Sequence, residues 1–398
     1  MQAATMQDEA IGHASTIPLM RAQLPDADAL LPYLRRIDAA RWYTNFGPLA
    51  NELEQRLATQ LDPGDTPAVV SLSSGTAALE LALGAMQLPA GAQVLLPALT
   101  FVATATAVIR VGHMPLIADV DAGNWLLTPG IARRIAASRR IDAVMPVATF
   151  GLAQDTAAWD RFVEDTGIPV LIDAAGAFGN QHAAQHCHVA FSLHATKALA
   201  AGEGGFVVTR DRAMAARIRT LSNFGIDLEH GSQVFFPGGN GKLSEYHAAV
   251  ALASLDQWPD IERSRRALQA RYFRQLQRSC PGVVLQEQAV GGVYPILVVA
   301  LPSGVRAREI QQALAARGIQ TRQWYCPTLD RHPAFASFGA EPLPVAHSVS
   351  ERLLGLPFYL DITTTQIRRV CESLASVLAE AAGATRPTSS QPAGTCHP

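Results

Sequence analysis

Short apolar runs alternate with helical segments through the middle of the chain, from Ala68 to Leu221. Two strands that are joined by a helix usually run parallel in one sheet, because the helix returns the chain to the edge where the first strand began. The pattern therefore predicts an α/β fold whose mostly parallel central sheet has helices on both faces. The strand-like runs are Ala68 to Leu72, Gln93 to Pro97, Leu116 to Val120, Ala143 to Thr149, Val170 to Asp173, Val189 to Leu193 and Phe206 to Thr209.

The pattern changes near Trp258, where a long charged helix begins. The helix is predicted over Asp260 to Arg278, followed by a strand over Val293 to Ala300 and helices near Arg306 to Ala316 and Thr364 to Ala381. We predict a large domain over residues 16–257 and a smaller C-terminal α+β domain over 258–382. Residues 1–15 and the tail 383–398, which is poor in large apolar residues, are predicted to be disordered.

Two ionisable residues follow predicted strands, and sites in parallel sheets gather beyond the carboxyl ends of the strands. Lys197 lies just before the glycine-rich turn Gly202 to Gly205. An amine buried there loses solvation, which lowers its pKa and makes it a nucleophile. Asp173 ends an apolar strand, and a buried carboxylate stays ionised only beside a cation, such as a protonated pyridine nitrogen, or beside several donors. Taken singly, either residue could simply cap a strand or a turn.

A phosphate site and an aromatic cover are predicted upstream. The segment Ser74, Gly75 and Thr76 joins a strand to a helix, and the unpaired N–H groups at a helix start favour a phosphate. Serine and threonine are equally common as ordinary helix caps. Phe101 stands at the next strand-to-helix turn, where its ring could cover a flat cofactor or belong to the core.

The order of these parts resembles the pyridoxal-phosphate-dependent sugar aminotransferases of the DegT/DnrJ/StrS type, within fold-type I of the aminotransferases. The resemblance extends from about Ile17 to about Leu378. The segments that carry it are Trp42 to Leu49, Ser74 to Leu79, Pro97 to Ala105, Asp173 to Ala175, Ser192 to Lys197, Gly239 to Glu245 and Glu351 to Pro357.

The resemblance implies a role for each residue of the site. Lys197 would hold pyridoxal 5′-phosphate as a Schiff base and move the substrate proton, with pyridoxamine phosphate as the intermediate form of the cofactor. Asp173 would pair with the pyridine nitrogen. The other residues implied to bind the cofactor are Ser74, Gly75, Thr76 and Ser192 at the phosphate, Phe101 on the ring face, and Ala175.

The resemblance also implies a homodimer with shared sites, because Asn240 matches a segment that reaches the phosphate of the neighbouring subunit. Candidate substrate contacts are Tyr43, Thr44, Asn45, Arg322, Tyr325 and His332. Two positions depart from the family pattern. Gly176 replaces a frequent glutamine or histidine, so another group or water must take that role, and the stretch Thr328 to Pro333 leaves the identity of the sugar open.

The implied reaction moves an amino group from an amino acid, with L-glutamate expected, to a keto group of a nucleotide-linked deoxysugar. The expected acceptor is a dTDP-4-keto-6-deoxyhexose. A dehydratase on the same scaffold is an alternative, although the sugar 3-dehydratases of the family replace the lysine with histidine. A regulatory protein that binds sugar or cofactor without turnover is another. A nicotinamide-dependent oxidoreductase would need a Gly-x-Gly-x-x-Gly turn after an early strand, and none is present there.

Composition narrows the remaining classes. The net charge of −2 and the lack of a basic run argue against a nucleic-acid partner. The apolar stretch Val94 to Ile109 is too short and too polar to span a bilayer. Met1 to Ser15 contains no Lys or Arg, whereas a signal peptide begins with a positively charged region. We therefore expect a cytoplasmic enzyme. One segment of the sequence has side chains that could bind zinc, although we expect it to be a polar surface loop; these side chains are His182, His186, Cys187 and His188.

Overall fold

The computed structural model describes residues 16–227, 233–287 and 291–384. Its helices are α1 (Ala27–Ala40), α2 (Pro48–Leu61), α3 (Gly75–Ala85), α4 (Val102–Arg110), α5 (Pro129–Ala136), α6 (Thr156–Thr166), α7 (Arg212–Ser222), α8 (Glu245–Asp256), α9 (Trp258–Ser279), α10 (Ala307–Ala316), α11 (Pro344–Ser350) and α12 (Thr364–Ala384), with 3₁₀ turns at Thr149–Gly151 and Leu329–Arg331. Its strands are β1 (Ala68–Leu72), β2 (Gln93–Pro97), β3 (Met114–Ala118), β4 (Ala143–Val144), β5 (Leu171–Asp173), β6 (His188–Ser192), β7 (Gly205–Thr209), β8 (Ile226–Asp227), β9 (Gln233–Val234), β10 (Val284–Leu285), β11 (Leu297–Ala300), β12 (Gly339–Ala340) and β13 (Leu353–Leu356).

The large sheet is built from two four-stranded parts, ordered β1-β7-β6-β5 and β4-β2-β3-β12. Parallel bridges from Val144 to Val170 and from Val147 to Asp173 join the two parts between β4 and β5. β7 runs antiparallel to both of its neighbours, whereas the other pairs are parallel. The predicted α/β fold with a mostly parallel sheet is therefore confirmed.

Some strand bounds differ from the prediction for local reasons. β3 ends at Ala118 because Asp119 leaves the sheet and accepts the N–H groups of Val345 and Ala346, at 3.0 and 2.7 Å, at the start of α11. The predicted strand Val293 to Ala300 shortens to β11 because the Val293 N–H donates to the side chain of Asn180 at 2.7 Å rather than to a strand.

The C-terminal region has a second, antiparallel sheet in the order β10-β11-β13, packed on α9, α10 and α12. The hydrophobic core around this sheet is not made only of C-terminal residues, and some C-terminal residues pack elsewhere. Ile17 from the start of the described chain packs into it, while Leu329, Phe335 and Leu343 pack with the large sheet, to which β12 also belongs. The domain boundary at Trp258 stays a prediction.

The described part of the chain begins at residue 16 and ends with helix α12. Helix α12 continues to Ala384, two residues past the predicted end of the small domain at 382. The predicted disordered segment 1–15, and the predicted tail from 385 onward, lie outside the described residues. None of the described helices combines the length and the apolar character needed to cross a bilayer. A cytoplasmic location stays a prediction.

The active site is positioned by the short connections at the carboxyl ends of the strands. β1 ends at Leu72 and α3 begins at Gly75, while β2 ends at Pro97 and α4 begins at Val102. With so few residues between them, each helix must start at the edge where its strand stops. The starts of both helices therefore face the same edge as Asp173 at the end of β5 and Ser192 at the end of β6.

Candidate active site

A cavity of about 520 Å³ lies at this edge of the large sheet. Its volume is in the range of sites that enclose a cofactor or a small ligand. The residues predicted from the sequence that line it are Ser74, Gly75, Thr76, Phe101, Asp173, Ala175, Ser192, Lys197, Arg322 and Tyr325. A wider groove of about 640 Å³ between α2, β1 and α7 contains none of them. We therefore assign the candidate site to the smaller cavity.

The start of α3 forms one wall and offers donors to an anion. Ser74 caps the helix, since its hydroxyl accepts the N–H of Ala77 at 3.0 Å. The N–H groups of Gly75 and Thr76 have no partner within the helix, as at any helix start. The Ser192 hydroxyl accepts the His194 N–H at 3.2 Å, so its own proton is available for an acceptor in the cavity. These groups suit a phosphate.

Gly75 allows this wall to form. A Cβ at this position would lie 2.7 Å from the Ser192 Cβ and 3.0 Å from its Oγ. Any larger residue would push the helix start away from β6 and separate the two sets of donors. The glycine is thus required by close approach rather than by its backbone angles.

Asp173 is buried, with 5% of its surface exposed, and lines the cavity. Its Oδ2 accepts the Thr104 hydroxyl at 2.7 Å, and its Oδ1 accepts the Ala175 N–H at 3.1 Å. Burial raises the pKa of Asp173 above the ordinary carboxyl value, and these two bonds and the charge of Lys197 only partly oppose the rise. No side chain among residues 16–227, 233–287 and 291–384 forms an ion pair with this carboxylate, and a protonated ring nitrogen in the cavity would provide the missing cation.

Lys197 follows the end of β6 and reaches the same cavity. Burial lowers the pKa of its amine, and the charge of Asp173 only partly opposes this shift. No hydrogen bond or ion pair within the described part of the chain holds the amine, and none joins it to Asp173. An amine with a lowered pKa and no ion-pair partner is a better nucleophile for a carbonyl carbon than an ordinary lysine.

These observations test whether pyridoxal phosphate fits. The cavity has donors for an anion at the start of α3, an uncompensated buried carboxylate at Asp173, and a free amine at Lys197. The cofactor carries a phosphate, a ring nitrogen that can be protonated, and an aldehyde. Each of its three reactive features has a matching group in the cavity, so the residues present fit it.

An aromatic wall closes the other side of the cavity. The ring of Phe101, 52% exposed, lies 6.2 Å from that of Tyr325, and the Phe150 ring stacks on Tyr325 at 5.3 Å with an angle of 21°. Burial raises the pKa of Tyr325, so its hydroxyl stays protonated at neutral pH. At the rim, the guanidinium of Arg322 lies 4.2 Å from the centre of the Trp324 ring.

The sequence analysis missed three of the residues that matter here. Phe150 comes directly after the predicted strand Ala143 to Thr149 and was given no role, whereas it forms a turn with the left-handed backbone angle φ of 61°, which is rare for a bulky residue. Met20 lines the cavity from the N-terminal segment, far away in sequence. Thr104 could have been suspected, since it is a hydroxyl in a helix that otherwise presents small apolar side chains to the sheet.

Five predicted site residues lie outside the cavity of this single chain. The Tyr43 ring stacks on Tyr246 at 6.3 Å, and the carbonyl of Tyr43 accepts the N–H of Glu245 at 3.0 Å, which ties its segment to α8. The others are Thr44 and Asn45 in the same segment, Asn240 in a bridge with Asn223, and His332 beside Phe335. Their roles stay predictions.

The structure explains one departure from the family pattern. A Cβ on Gly176 would lie 3.3 Å from the Pro295 Cγ, so Pro295 occupies the space that a larger side chain at 176 would need. In the stretch Thr328 to Pro333, Asp330 is engaged with His347, whose Nε2 lies 2.8 Å from its Oδ2. Among the described residues there is no group of three or more metal-ligating side chains that could hold an ion.

Comparison with known proteins assigns the family. The model of the DegT/DnrJ/EryC1/StrS aminotransferase family matches residues 26–375. The chain belongs to this family. It is a pyridoxal-phosphate-dependent aminotransferase, as the sequence predicted, and pyridoxal phosphate is its cofactor.

Three relatives illustrate the similarity. EryC1 of Saccharopolyspora erythraea, named an erythromycin biosynthesis sensory transduction protein, is 31% identical over 81% of this chain and 88% of its own length. The UDP-2-acetamido-2-deoxy-3-oxo-D-glucuronate aminotransferase of Pseudomonas aeruginosa is 30% identical over 82% of this chain and 90% of its own. The crystal structure of DesI in the presence of its TDP-sugar product superposes with a TM-score of 0.81 at 30% identity, covering 93% of this chain and 95% of DesI.

Replacement of Gly75 by alanine tests the phosphate wall. The added methyl group would press on Ser192, and overpacking of this kind costs about 1–3 kcal/mol. We expect the Kd for pyridoxal phosphate, measured by titration of the apoprotein, to rise roughly five- to hundredfold. Gly84→Ala in the same helix is the control, because its Cβ would meet only Leu221 at 3.7 Å. Equal cofactor affinity in both variants would contradict the assignment.

Replacement of Asp173 by asparagine tests the cost of the buried charge. Because the pKa of Asp173 is higher in the folded than in the unfolded chain, its contribution to stability is fully present below the ordinary carboxyl range and is lost as the pH rises through the folded value. Asparagine lacks this dependence. In urea unfolding of the apoprotein at a series of pH values, we expect Asp173→Asn to gain stability relative to wild type across that window.

The exposed Asp38 provides the matched control for this measurement. Asp38→Asn should show no such increasing difference from wild type. The contradicting result would be a difference in the free energy of unfolding between Asp173→Asn and wild type that is the same at neutral and at acidic pH. The buried carboxylate would then carry no penalty, and this account of the site would be wrong.

Proposed function

We propose that the chain transfers an amino group from L-glutamate to the keto carbon of a nucleotide-linked deoxysugar, with a dTDP-4-keto-6-deoxyhexose as the acceptor. The observation that carries the proposal is the meeting of Lys197, Asp173 and the start of α3 in one cavity of a chain that belongs to a sugar aminotransferase family. The relatives named above that act on UDP- and TDP-linked sugars support a nucleotide sugar as substrate.

Bound pyridoxal phosphate supplies a carbon that accepts the amino group and a ring that takes up the electrons released when the substrate loses a proton. The chain supplies the acid–base group and the charge. The Lys197 amine, whose pKa burial lowers, takes a proton from the substrate carbon and returns it on the other side of the reaction. The Asp173 carboxylate stabilises positive charge at the ring nitrogen. The Gly75 and Thr76 N–H groups and the Ser192 hydroxyl hold the phosphate.

The opposite side of the cavity suits the acceptor. Phe150 and Tyr325 present an apolar wall, which matches the carbon-rich face of a deoxysugar better than a sugar with every hydroxyl in place, and Phe101 beside Tyr325 keeps its predicted position on the ring face of the cofactor. Arg322 stands at the rim with an exposed guanidinium that could pair with a phosphate of the nucleotide. This arrangement supports an anionic acceptor that enters with its sugar foremost.

Lys197 also separates the proposal from its alternatives. The dehydratase branch that we considered replaces this lysine with histidine, whereas here the lysine lines the cavity. A sensor without turnover, a role that the name of EryC1 suggests for that protein, would need neither a buried amine with a lowered pKa nor a buried carboxylate in the same cavity. The pair is intact in this chain, which favours catalysis.

A dimer is the second part of the proposal. The aromatic side chains of Trp42, Tyr43, Phe224, Phe235 and Tyr246 are about half exposed. Several of them come together around the start of α8, where Tyr43 stacks on Tyr246. Exposed aromatic groups of this kind mark protein interfaces. Asn240 lies near this surface, through its bridge to Asn223 beside Phe224, which supports its predicted contact with a neighbouring subunit.

The covalent link is testable because the chain has only two lysines, Lys197 and Lys242. After borohydride treatment of the protein loaded with pyridoxal phosphate, peptide mass spectrometry should find the cofactor on Lys197. Lys242→Arg should keep the label and Lys197→Ala should lose it. With glutamate and a panel of dTDP-4-keto and UDP-3-keto sugars, Lys197→Ala should lose roughly a hundred- to ten-thousandfold in turnover or more. A label on Lys242, or no amino-sugar product with any acceptor, would refute the proposal.

The dimer is tested by mixing two inactive variants. If Asn240 serves the site of the neighbouring subunit, Lys197→Ala and Asn240→Ala should each be impaired as pure proteins. After unfolding and refolding together, mixed dimers should contain one intact site and recover part of the activity. Light scattering should give the mass of two chains. A monomer, or a mixture no more active than its components, would contradict shared sites.

A further inference from the structure

Behind Asp173 lies a pair of buried hydroxyls that the proposed reaction does not use. The Thr104 Oγ1 lies 2.7 Å from Asp173 Oδ2, and the Thr100 Oγ1 lies 2.8 Å from Thr104 Oγ1. Thr104 is 1% exposed and Thr100 is 3% exposed. Both side chains are therefore shielded from bulk solvent, although Thr100 also lines the cavity.

The bonding of Thr104 is unusual for its position. A buried threonine within a helix commonly donates to a backbone carbonyl three or four residues earlier. Within the described residues, the Thr104 hydroxyl bonds to no backbone carbonyl and instead reaches a side chain on β5, 69 positions along the chain. The hydroxyl thus bonds to Asp173, which lines the cavity, and forms no hydrogen bond within α4.

The direction of these bonds follows from counting protons. An ionised carboxylate can only accept, so Thr104 donates its single proton to Asp173. The oxygen of Thr104 is then free only to accept, and Thr100 must donate to it. The result is a chain of two donors that points at the carboxylate, and successive hydroxyls in such a chain polarise one another.

This chain acts together with the backbone. Thr104 holds Oδ2 of Asp173, and the Ala175 N–H holds Oδ1 at 3.1 Å, so both carboxylate oxygens are fixed and the plane of the group is set. Donors to the charged form favour that form, and both bonds lower the pKa of Asp173 against the effect of burial. Without Thr104, the buried carboxyl would more readily take up a proton and turn.

We propose that Thr104, supported by Thr100, is a positioning residue that keeps the Asp173 carboxylate ionised and aimed at the ring nitrogen of the cofactor. The inference rests on the proposed function, because it assumes that Asp173 meets that nitrogen. It adds a role for two residues, one in α4 and one in the turn before it, to which the proposed reaction assigns no contact with substrate or cofactor.

The test compares two ligands on the apoprotein: pyridoxal phosphate, and an analogue in which a CH group replaces the ring nitrogen. Wild type should bind pyridoxal phosphate more tightly. Thr104→Val, which keeps the shape and removes the hydroxyl, should lose roughly ten- to hundredfold in affinity for pyridoxal phosphate, the usual effect of a bond to a charged group. Its affinity for the analogue should change far less. Thr104→Ser should restore the preference.

Controls separate positioning from a general effect on the fold. Thr106 lies in the same helix and forms no hydrogen bond with Asp173 among the described residues, so Thr106→Val should keep the wild-type preference. In an Asp173→Asn background, Thr104→Val should change the affinity by no more than about twofold, because the coupled partner is gone. Should Thr104→Val not fold, Thr100→Val, one step further from the carboxylate, should still reduce the preference by a smaller factor.

Two failures would have different meanings. If wild type bound the two ligands equally, or bound neither, the proposed pairing of Asp173 with the cofactor would be wrong. If wild type preferred pyridoxal phosphate and Thr104→Val retained that preference in full, the cofactor assignment would stand and the positioning role would be overturned. A preference lost in Thr104→Ser as well would also overturn it, since the hydroxyl would not be the cause.

Discussion

The site depends on a buried carboxylate that forms no ion pair with any side chain in the part of the chain that the structure describes. Asp173 has one hydroxyl and one backbone N–H as donors, and burial raises its pKa. A charged group in such a place is costly unless a ligand completes it. The same burial lowers the pKa of Lys197. Both groups are therefore driven towards their neutral forms in the apoprotein, and a cofactor that brings a positive ring nitrogen and an aldehyde relieves both.

The fold creates this situation through short connections. Because α3 and α4 begin within a few residues of the ends of β1 and β2, their first turns must lie at the edge where Asp173 and Ser192 end their own strands. Close packing at Gly75 brings the start of α3 against Ser192, and the small residues of α4 let Thr104 reach Asp173. The sheet thus sets the relative positions of phosphate donors, carboxylate and amine, which is the geometry that transamination requires.

What the sequence could predict was local. The strand-to-helix turn at Ser74 to Thr76, the carboxylate that ends β5 and the lysine after β6 each carry a pattern within a few residues, and all of them line the cavity. Phe150 could not be predicted, because nothing in the residues after the apolar run Ala143 to Thr149 signals that its backbone adopts a left-handed turn. Met20 and Thr104 act through contacts far apart in sequence. Asn240 and the Tyr43 segment lie outside the cavity of one chain, so their predicted roles can be tested only together with the proposed dimer.

The central claim is that Asp173 holds a positive charge on the ring nitrogen of pyridoxal phosphate. Nitrogen NMR of the protein loaded with cofactor labelled with ¹⁵N in the ring measures that charge directly. The account predicts the chemical shift of a protonated pyridine at neutral pH and well above it, and the shift of a neutral ring in Asp173→Asn. A neutral ring nitrogen in the wild-type protein at neutral pH would contradict the account.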